Sequence, residues 1–314
     1  MQPARSLPAP LPRRGFTLVE LLVVIIIIGL LAGMITVGLA AAMRRAKQAS
    51  ITLEISQLSV ALQKYRDQYG EYPPDFSVPF NYDMDGVQYG PRVVLRHIRR
   101  AFPRYTGNLN GIVNSQGNGI GALDPAEALV FWLGGMLDVQ GIPRGFCKVP
   151  GQPFLRPNQN SSRTLPLFQF EETRLADRDQ DGWPEYYPPG FTPKLDPPYV
   201  YFAAWPAFYN DADHPEDRYH PAAFYRSSGV PAEWRNARPY AHRLPNGAFS
   251  WVKPQGFQII CAGLDRMFGR STSSSFPWKV FPGGAGYGEG DWDNLTNFYE
   301  GTLEDASQDA NLNP

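Results

Sequence analysis

The chain reads RRGFTLVELL over residues 13–22, and this stretch opens an apolar segment that continues to Met43. From Leu21 to Met43, Thr36 is the one clearly polar side chain. A helix over these roughly 23 residues is about 34 Å long, enough to cross the hydrocarbon core of a bilayer. Because the segment is apolar on every face, it does not fit a helix packed inside a soluble protein. The sequence therefore predicts a membrane-spanning helix near the amino terminus.

The residues on either side of the apolar segment, and one carboxylate at its edge, limit which kind of membrane segment it can be. Residues 1–14 contain Arg5, Arg13 and Arg14, four prolines and no acid, so they are not expected to fold. A secretory signal peptide fits poorly, because the apolar segment is too long and no small-x-small cleavage site precedes the basic residues after it. A plain signal anchor leaves Glu20 unexplained, since an unpaired carboxylate at the edge of an apolar helix costs about 2–3 kcal/mol.

Residues 13–22 resemble the processing signal of type IV prepilins and type II secretion pseudopilins. The shared pattern is basic residues, a glycine, a phenylalanine, a glutamate at the fifth position after the cut and a long apolar run. The resemblance implies cleavage between Gly15 and Phe16 by a membrane aspartic prepilin peptidase, followed by N-methylation of Phe16. It also implies that Glu20 pairs with the free amine of a neighbouring subunit during assembly.

The resemblance also sets the expected location and partners. The chain would be a single-pass protein of the inner (cytoplasmic) membrane, with its head in the periplasm and the assembled fibre in the periplasm or at the cell surface. Its partners would be copies of itself, other pilin-like subunits, the prepilin peptidase, the inner-membrane assembly platform and membrane lipid.

The helix is expected to continue beyond the membrane. Apolar side chains recur at spacings of 4, 3, 4, 3 and 4, which places them in one stripe on a helix: Ile51, Ile55, Leu58, Leu62, Tyr65 and Tyr69. Gly70 is placed to end the helix, and Pro73-Pro74 prevents its continuation. The stretch 61–73 also resembles the end of the stem helix in the major type II pseudopilin.

These observations predict an α+β fold of pilin-like type, with a long amino-terminal helix and an irregular head built on an antiparallel sheet. The expected division is a cleaved leader (1–15), a membrane half of the stem (16–43), an amphipathic half (44–70), a head (71–301) and a disordered acidic tail (302–314). Residues 199–202 and 257–261 are strand candidates, and Asp124, Pro125 and Glu127 give the start of a helix.

A first calcium candidate is Asp177, Asp179, Asp181 and Gly182, which form a D-x-D-x-D-G run. Oxygen ligands at alternate positions with a glycine at the turn match the opening of an EF-hand loop. The twelfth position is Pro188, so a true EF-hand is not expected, although Glu185 could supply a ligand in another geometry. The alternative is a solvated acidic turn with Asx-type hydrogen bonds.

A second calcium candidate combines Asp265 with Asp291 and Asp293, which lie on either side of a glycine-rich loop. This arrangement resembles the carboxy-terminal calcium loop of the major type II pseudopilin. The loop is longer here, and the order Ala-Gly-Leu-Asp at 262–265 departs from that pattern. Calcium is the one cofactor expected.

Composition excludes several other classes of protein. A net charge of -1 gives no support for a nucleic-acid partner, although arginines cluster around His97: Arg92, Arg96, Arg99, Arg100 and Arg104. No Gly-x-Ser-x-Gly, Walker or His-Glu-x-x-His motif occurs, so the chain is not expected to be an enzyme. Two cysteines exclude a disulfide-dense scaffold; Cys147 and Cys261 either pair or remain buried free thiols.

The sequence thus indicates a structural subunit of a pilus-like fibre, most directly a type II secretion pseudopilin that acts in protein export by assembly. Two alternatives stay open. One is a type IV pilin, in particular a minor one, for adhesion, motility or DNA uptake. The other is a membrane-anchored periplasmic enzyme or binding protein that carries a prepilin signal.

Overall fold

A computed structural model describes residues 15–77, 83–84, 87–113, 116–157, 162–204, 237–269 and 279–312. The predicted leader therefore lies outside the described residues except for Gly15, and so does much of the proline-rich stretch 184–254. The chain divides into two compact units, Met1–Ala46 and Lys47–Pro314.

Helix α1 runs over Leu18–Tyr69 and belongs to the first unit as far as Ala46. Within the second unit, five residues of the predicted stripe are buried: Ile51, Ile55, Leu58, Leu62 and Tyr65. The sixth, Tyr69, is half-buried and packs against the same core. Helix α1 ends where Gly70 adopts a φ of 87°, a left-handed conformation that favours glycine. The amphipathic interpretation of this part of the stem is confirmed.

The described residues also form two further α-helices and eleven short strands, besides three 3-10 helices and one π-helical turn. The helices are α2 (Tyr89–Ala101) and α3 (Leu303–Gln308). The strands are β1 (Asp83–Met84), β2 (Val87–Gln88), β3 (Leu175–Ala176), β4 (Glu185–Tyr186), β5 (Val200–Ala203), β6 (Tyr240–Arg243), β7 (Phe249–Trp251), β8 (Phe257–Cys261), β9 (Lys279–Val280), β10 (Leu295–Thr296) and β11 (Tyr299–Thr302).

The largest sheet has the order β11-β10-β8-β5 and is antiparallel throughout. At its centre, Val200 of β5 pairs with Ile260 of β8, and Leu295 of β10 pairs with Cys261. A second sheet has the order β7-β6-β9, in which β6 and β9 are parallel. Strands β1–β2 and β3–β4 form two antiparallel pairs. The predicted α+β arrangement and both strand candidates are confirmed.

The central strands are buried on both faces. On one face, Tyr201 and Ile259 join the core that contains the buried stripe of α1. On the opposite face, Phe202 and Ile260 join a second core with residues of the smaller sheet and α3. Because neighbouring strand residues point to opposite faces, a run of consecutive apolar residues is what a sheet between two cores requires.

Helix α3 corrects the expectation of a disordered tail from residue 302, as far as residue 312. Thr302 and Asp305 form a capping box: Thr302 Oγ1 accepts the Asp305 N–H over 3.2 Å, and Asp305 Oδ2 accepts the Thr302 N–H over 2.9 Å. Leu303 and Ala306 are buried in the second core. The acidic composition of this segment gave no sign of the helix. Two buried apolar side chains and one capping box are nevertheless enough to stabilise a helix of one to two turns.

The helix predicted from Asp124 begins with the expected caps but is short. Asp124 Oδ1 accepts the N–H groups of Ala126 and Glu127, and Glu127 Oε2 accepts the Asp124 N–H over 2.9 Å. The chain then forms a π-helical turn at Val130–Gly134, whose side chains are all buried. This turn packs against the stem, since Trp132 contacts Tyr65 edge to face.

Candidate functional site

The predicted processing signal has an accessible geometry. Gly15 and Phe16 precede the helix, and Phe16 is 77% exposed. A Cβ atom added at Gly15 would meet no heavy atom within 4 Å. The described part of the fold therefore places no packing demand on a glycine at position 15.

Glu20 has a local partner that the sequence analysis missed. Its Oε2 accepts the Thr17 N–H over 2.9 Å and the Thr17 hydroxyl over 2.7 Å, while Thr17 Oγ1 accepts the Glu20 N–H over 3.2 Å. This is a capping box at the start of α1, and the signal for it was the T-x-x-E spacing. Glu20 is thus hydrogen-bonded within its own subunit, and the carboxylate is less costly at the membrane edge than an unpaired one.

The first unit exposes its apolar side chains. All of its described side chains from Gly15 to Ala46 are exposed, including the run of isoleucines at 25–28. Helix α1 is the one described helix that is long and apolar enough to span a membrane. An exposed apolar surface of this length is stable only where lipid or other protein covers it.

The central acidic cluster is larger than the sequence predicted. Oxygens of Asp177, Asp179 and Asp181 lie within 4.8 Å of one another, and so do oxygens of Asp124, Glu127 and Asp179. Asp179 belongs to both groups, so the cluster joins the D-x-D-x-D-G loop to the capping box at residues 124–127. The sequence analysis treated the two as separate features, because about fifty residues separate them and no sequence pattern indicates that they are in contact.

Glu185 is a further member of this cluster. It is fully buried, and its Oε2 accepts the Arg178 N–H over 3.0 Å. Its pKa is raised well above the ordinary range by burial and then by the charge of Asp124. Its predicted role as an oxygen ligand in a geometry other than an EF-hand stays a prediction.

The electrostatics of the cluster disfavour six ionised carboxylates. Burial raises the pKa of Asp124 and of Glu127, and neighbouring carboxylates add to both shifts. Burial, followed by the charges of Asp179 and Asp177, raises the pKa of Asp181 to about 7. Each carboxylate makes its neighbours harder to ionise, which is the expected behaviour of like charges in a poorly solvated site.

The carboxy-terminal cluster has a different chemistry. The Lys279 ammonium donates to Asp291 Oδ1 over 2.5 Å and to the Phe268 carbonyl over 2.7 Å, and the Lys279 and Asp291 side chains are buried. Asp293 Oδ2 accepts the N–H groups of Leu264 and Asp265. Lys279 therefore already supplies a positive charge to Asp291. Negative charge still accumulates at the other end of the loop, since burial and then the charges of Asp293 and Asp291 raise the pKa of Asp265 to about 6. The sequence analysis did not connect Lys279 with this loop.

A buried ion pair joins the stem to the head within the second unit. Arg174 donates to both carboxylate oxygens of Glu54, over 2.8 and 2.5 Å, and the hydroxyls of Tyr186 and Tyr199 donate to the same carboxylate. Glu54 is 7% exposed. Its spacing of three from Ile51 and four from Leu58 puts it at the edge of the apolar stripe.

The arginine patch and the cysteines are structural features. His97 is buried, with Nε2 2.8 Å from the Tyr65 hydroxyl and Nδ1 2.8 Å from Glu71 Oε1. Glu71 also pairs with Arg96 and Arg100, which ties α2 to the end of α1. Cys147 and Cys261 are buried free thiols, so of the two alternatives for them the structure shows the unpaired one.

Comparison with known proteins identifies the amino-terminal signal. Residues 11–36 match the family model of the prokaryotic N-terminal methylation motif. No curated protein and no solved structure matches the chain. The motif supports the type IV pilin and pseudopilin family, and it implies processing by a prepilin peptidase and assembly with other pilin subunits. Together with the apolar part of α1, it fits a single-pass anchor in the inner membrane, and it indicates a structural subunit of a pilin-like fibre rather than an enzyme.

Proposed function

We propose that the chain is a pseudopilin of a type II secretion system, which acts in protein export by assembling from the inner membrane into a periplasmic fibre. The observation that carries the proposal is the methylation motif at residues 11–36, followed by one helix whose later part lies in the core of the head. Such a subunit needs an apolar surface that lipid covers before assembly and other stems cover afterwards. The exposed apolar side chains between residues 16 and 43 provide one.

The choice of secretion over a surface pilus rests on the end of the stem, where residues 61–73 resemble the major type II pseudopilin. The contacts of the stem within the second unit also suit a subunit that bears load along a fibre. Glu54 and Arg174 join the stem to the head through a bidentate ion pair, and Glu71 joins it to α2. Pulling on the stem would therefore move the head with it, as export by a growing fibre requires.

In this proposal the peptidase cuts between Gly15 and Phe16, and Phe16 becomes the methylated terminus. Glu20 exchanges its contact with Thr17 for the terminal amine of a neighbouring subunit during assembly. The head lies in the periplasm, where the assembly platform and other pilin-like subunits contact the chain.

Deletion of the gene in its native host tests the proposal. We expect exported proteins to accumulate in the periplasm while surface pili and twitching motility are unchanged. Normal export combined with a loss of pili would instead favour a type IV pilin. Mass spectrometry of the membrane-bound protein checks the processing step, and a mature terminus other than methylated Phe16 would contradict both versions.

A further inference from the structure

We propose that the head contains a buried calcium site in which the loop 177–185 and the capping box at residues 124–127 share one ion. The candidate ligands are carboxylates in two groups of three that share Asp179: Asp124 and Glu127 with Asp179, and Asp177 and Asp181 with Asp179. Glu185 is a further buried carboxylate next to them. The site does not depend on which fibre the chain joins, so its test is separate from that of the proposed function.

The orientation of the buried carboxylates is the first argument. Asp124, Glu127 and Glu185 are each at least nine-tenths buried. One oxygen of each is held by backbone N–H groups, which fixes the side chain. The other oxygen of each (Asp124 Oδ2, Glu127 Oε1 and Glu185 Oε1) is buried and receives no hydrogen bond from the described residues. A buried acceptor without a donor is costly, and a cation bound among these carboxylates would supply the missing partner.

The loop repeats this arrangement. Asp177 Oδ2 accepts the Gly182 N–H over 2.9 Å, while Asp177 Oδ1 is buried and receives no hydrogen bond from the described part of the chain. Gly182 has a φ of 92°, so the turn that points these carboxylates inward needs a residue without a side chain. The loop is therefore shaped by its backbone, which brings its carboxylates together.

The spacing of the oxygens suits calcium. Calcium takes six to eight oxygen ligands at about 2.3–2.6 Å, so ligands on opposite sides of the ion are up to about 5 Å apart. Both groups of three oxygens lie within 4.8 Å, and they share Asp179. Magnesium requires a tighter octahedral shell at about 2.0–2.1 Å and gives up its water less readily. A cluster of carboxylates from two separate turns therefore favours the larger ion.

The excess of negative charge in the cluster also favours a bound cation. Burial and then the charge of Asp179 raise the pKa of Asp177, and Lys194 only partly opposes this shift. Arg178 lies near Tyr187 at the edge of the cluster, so among the described residues two side-chain cations face six carboxylates. The repulsion can be relieved in two ways: by a divalent cation, or by protons, of which one shared between Glu127 and Asp181 is the clearest case. Only the first alternative predicts a response to added calcium.

The full chain, purified in detergent micelles and freed of metal by a chelator, provides the test. Trp183 lies within the loop, so terbium bound there should show luminescence sensitised by tryptophan. We expect calcium to displace the terbium signal, and magnesium at the same concentration to displace much less of it. Calcium at a hundredfold excess over its Kd should also raise the Tm of the head by roughly 5–10 °C.

Variants locate the site. Asp124→Asn and Glu185→Gln keep the shape of each side chain and remove one negative charge. We expect both variants to have an equal or higher Tm than the wild type in chelator, because repulsion is relieved, and to lose most of the calcium-induced rise. Asp138→Asn is the matched control, since Asp138 pairs with Arg144 outside the cluster, and it should keep the whole calcium response.

A second pair of substitutions separates this site from the carboxy-terminal loop. The double variant Asp265→Asn with Asp293→Asn should keep the calcium response. If this variant loses the response while Glu185→Gln keeps it, the proposed site is wrong. A Tm that neither calcium nor chelator moves would equally overturn the proposal and assign the cluster to shared protons.

Discussion

The Lys279 ammonium lies 2.5 Å from Asp291 Oδ1, and both side chains are buried, at 2% and 0% exposure. Asp291 Oδ2 also accepts the Gly288 N–H over 2.8 Å, so the carboxylate holds the glycine-rich loop to strand β9. Burial lowers the pKa of Lys279, and Asp291 opposes that shift. The Lys279 ammonium thus provides the positive charge around which the glycine-rich loop is ordered.

Replacing Lys279 should strongly destabilise the head. Lys279→Met leaves Asp291 as a buried charge without its cation, which costs about 3–5 kcal/mol. We expect a fall in Tm of roughly 10 °C, followed by tryptophan fluorescence, because all seven tryptophans lie in the second unit.

The matched comparison is Lys279→Met combined with Asp291→Asn, which removes both charges. This double variant should recover a large part of the lost stability. A double variant as unstable as Lys279→Met would show that the loop depends on packing of the lysine stem rather than on the ion pair.

The ion pair between the stem and the head gives a second prediction. Glu54→Ala leaves the Arg174 guanidinium, whose side chain is 15% exposed, without its bidentate partner. We expect a loss of about 3–5 kcal/mol in the free energy of unfolding, measured from urea titrations of the full chain in detergent.

Glu171 supplies the control for this pair. It also pairs with Arg174, over 2.8 Å, but it is 60% exposed. Glu171→Ala should therefore cost at most about 1 kcal/mol. Equal losses for the two variants would contradict the assignment of Glu54 as the buried anchor.

The contact between α2 and the stem predicts a dependence on pH. Burial lowers the pKa of His97 below its ordinary value of about 6.5, although Glu71 opposes the shift and Arg96 and Arg100 support it. Below about pH 6.5 the unfolded chain therefore binds a proton that the folded chain resists. This contribution to stability is complete above that pH and is lost as the pH falls.

The measurement is the difference between the wild type and His97→Gln in free energy of unfolding, from pH 7.5 to pH 5. The two curves should diverge in slope below about pH 6.5, with the wild type losing stability faster. Tyr65 and Glu71 face His97, but their ionisation lies outside this window, since the pKa of Tyr65 is raised well above 10 and that of Glu71 is lowered. Parallel curves for the two proteins would contradict the prediction.

Glu20 gives a prediction about assembly. Glu20→Ala should insert in the membrane at least as well as the wild type, because it removes a carboxylate from the edge of an apolar helix. Its incorporation into fibres should fall sharply, because the amine of the neighbouring subunit loses its partner. Quantitative blotting of sheared fibres against total membrane protein measures the effect.

Thr17→Val is the control that the structure offers. It removes the hydroxyl of the capping box but keeps the carboxylate of Glu20. We expect fibres from this variant to form at close to the wild-type level. A defect equal to that of Glu20→Ala would mean that Glu20 acts by capping the helix rather than by pairing between subunits.

The features that could be predicted from the sequence are those with periodic or short-range signals. The apolar run after Leu21 and the stripe from Ile51 to Tyr65 reveal the stem, because helical spacing is written directly in the order of residues. The caps at Asp124 and the strands around residues 200 and 260 follow from equally short-range signals. The processing signal also lies within a few adjacent positions.

The tertiary structure alone decided which charges meet. Asp124 and Asp179 are 55 positions apart, and Glu54 and Arg174 are 120 apart. The loop around Asp291 is held by an ion pair with Lys279 of strand β9. No periodicity records such pairings, because they depend on how separate elements pack. A buried charge is tolerated only where packing brings it a partner, so the same packing determines where the chain needs a cation and where it already has one.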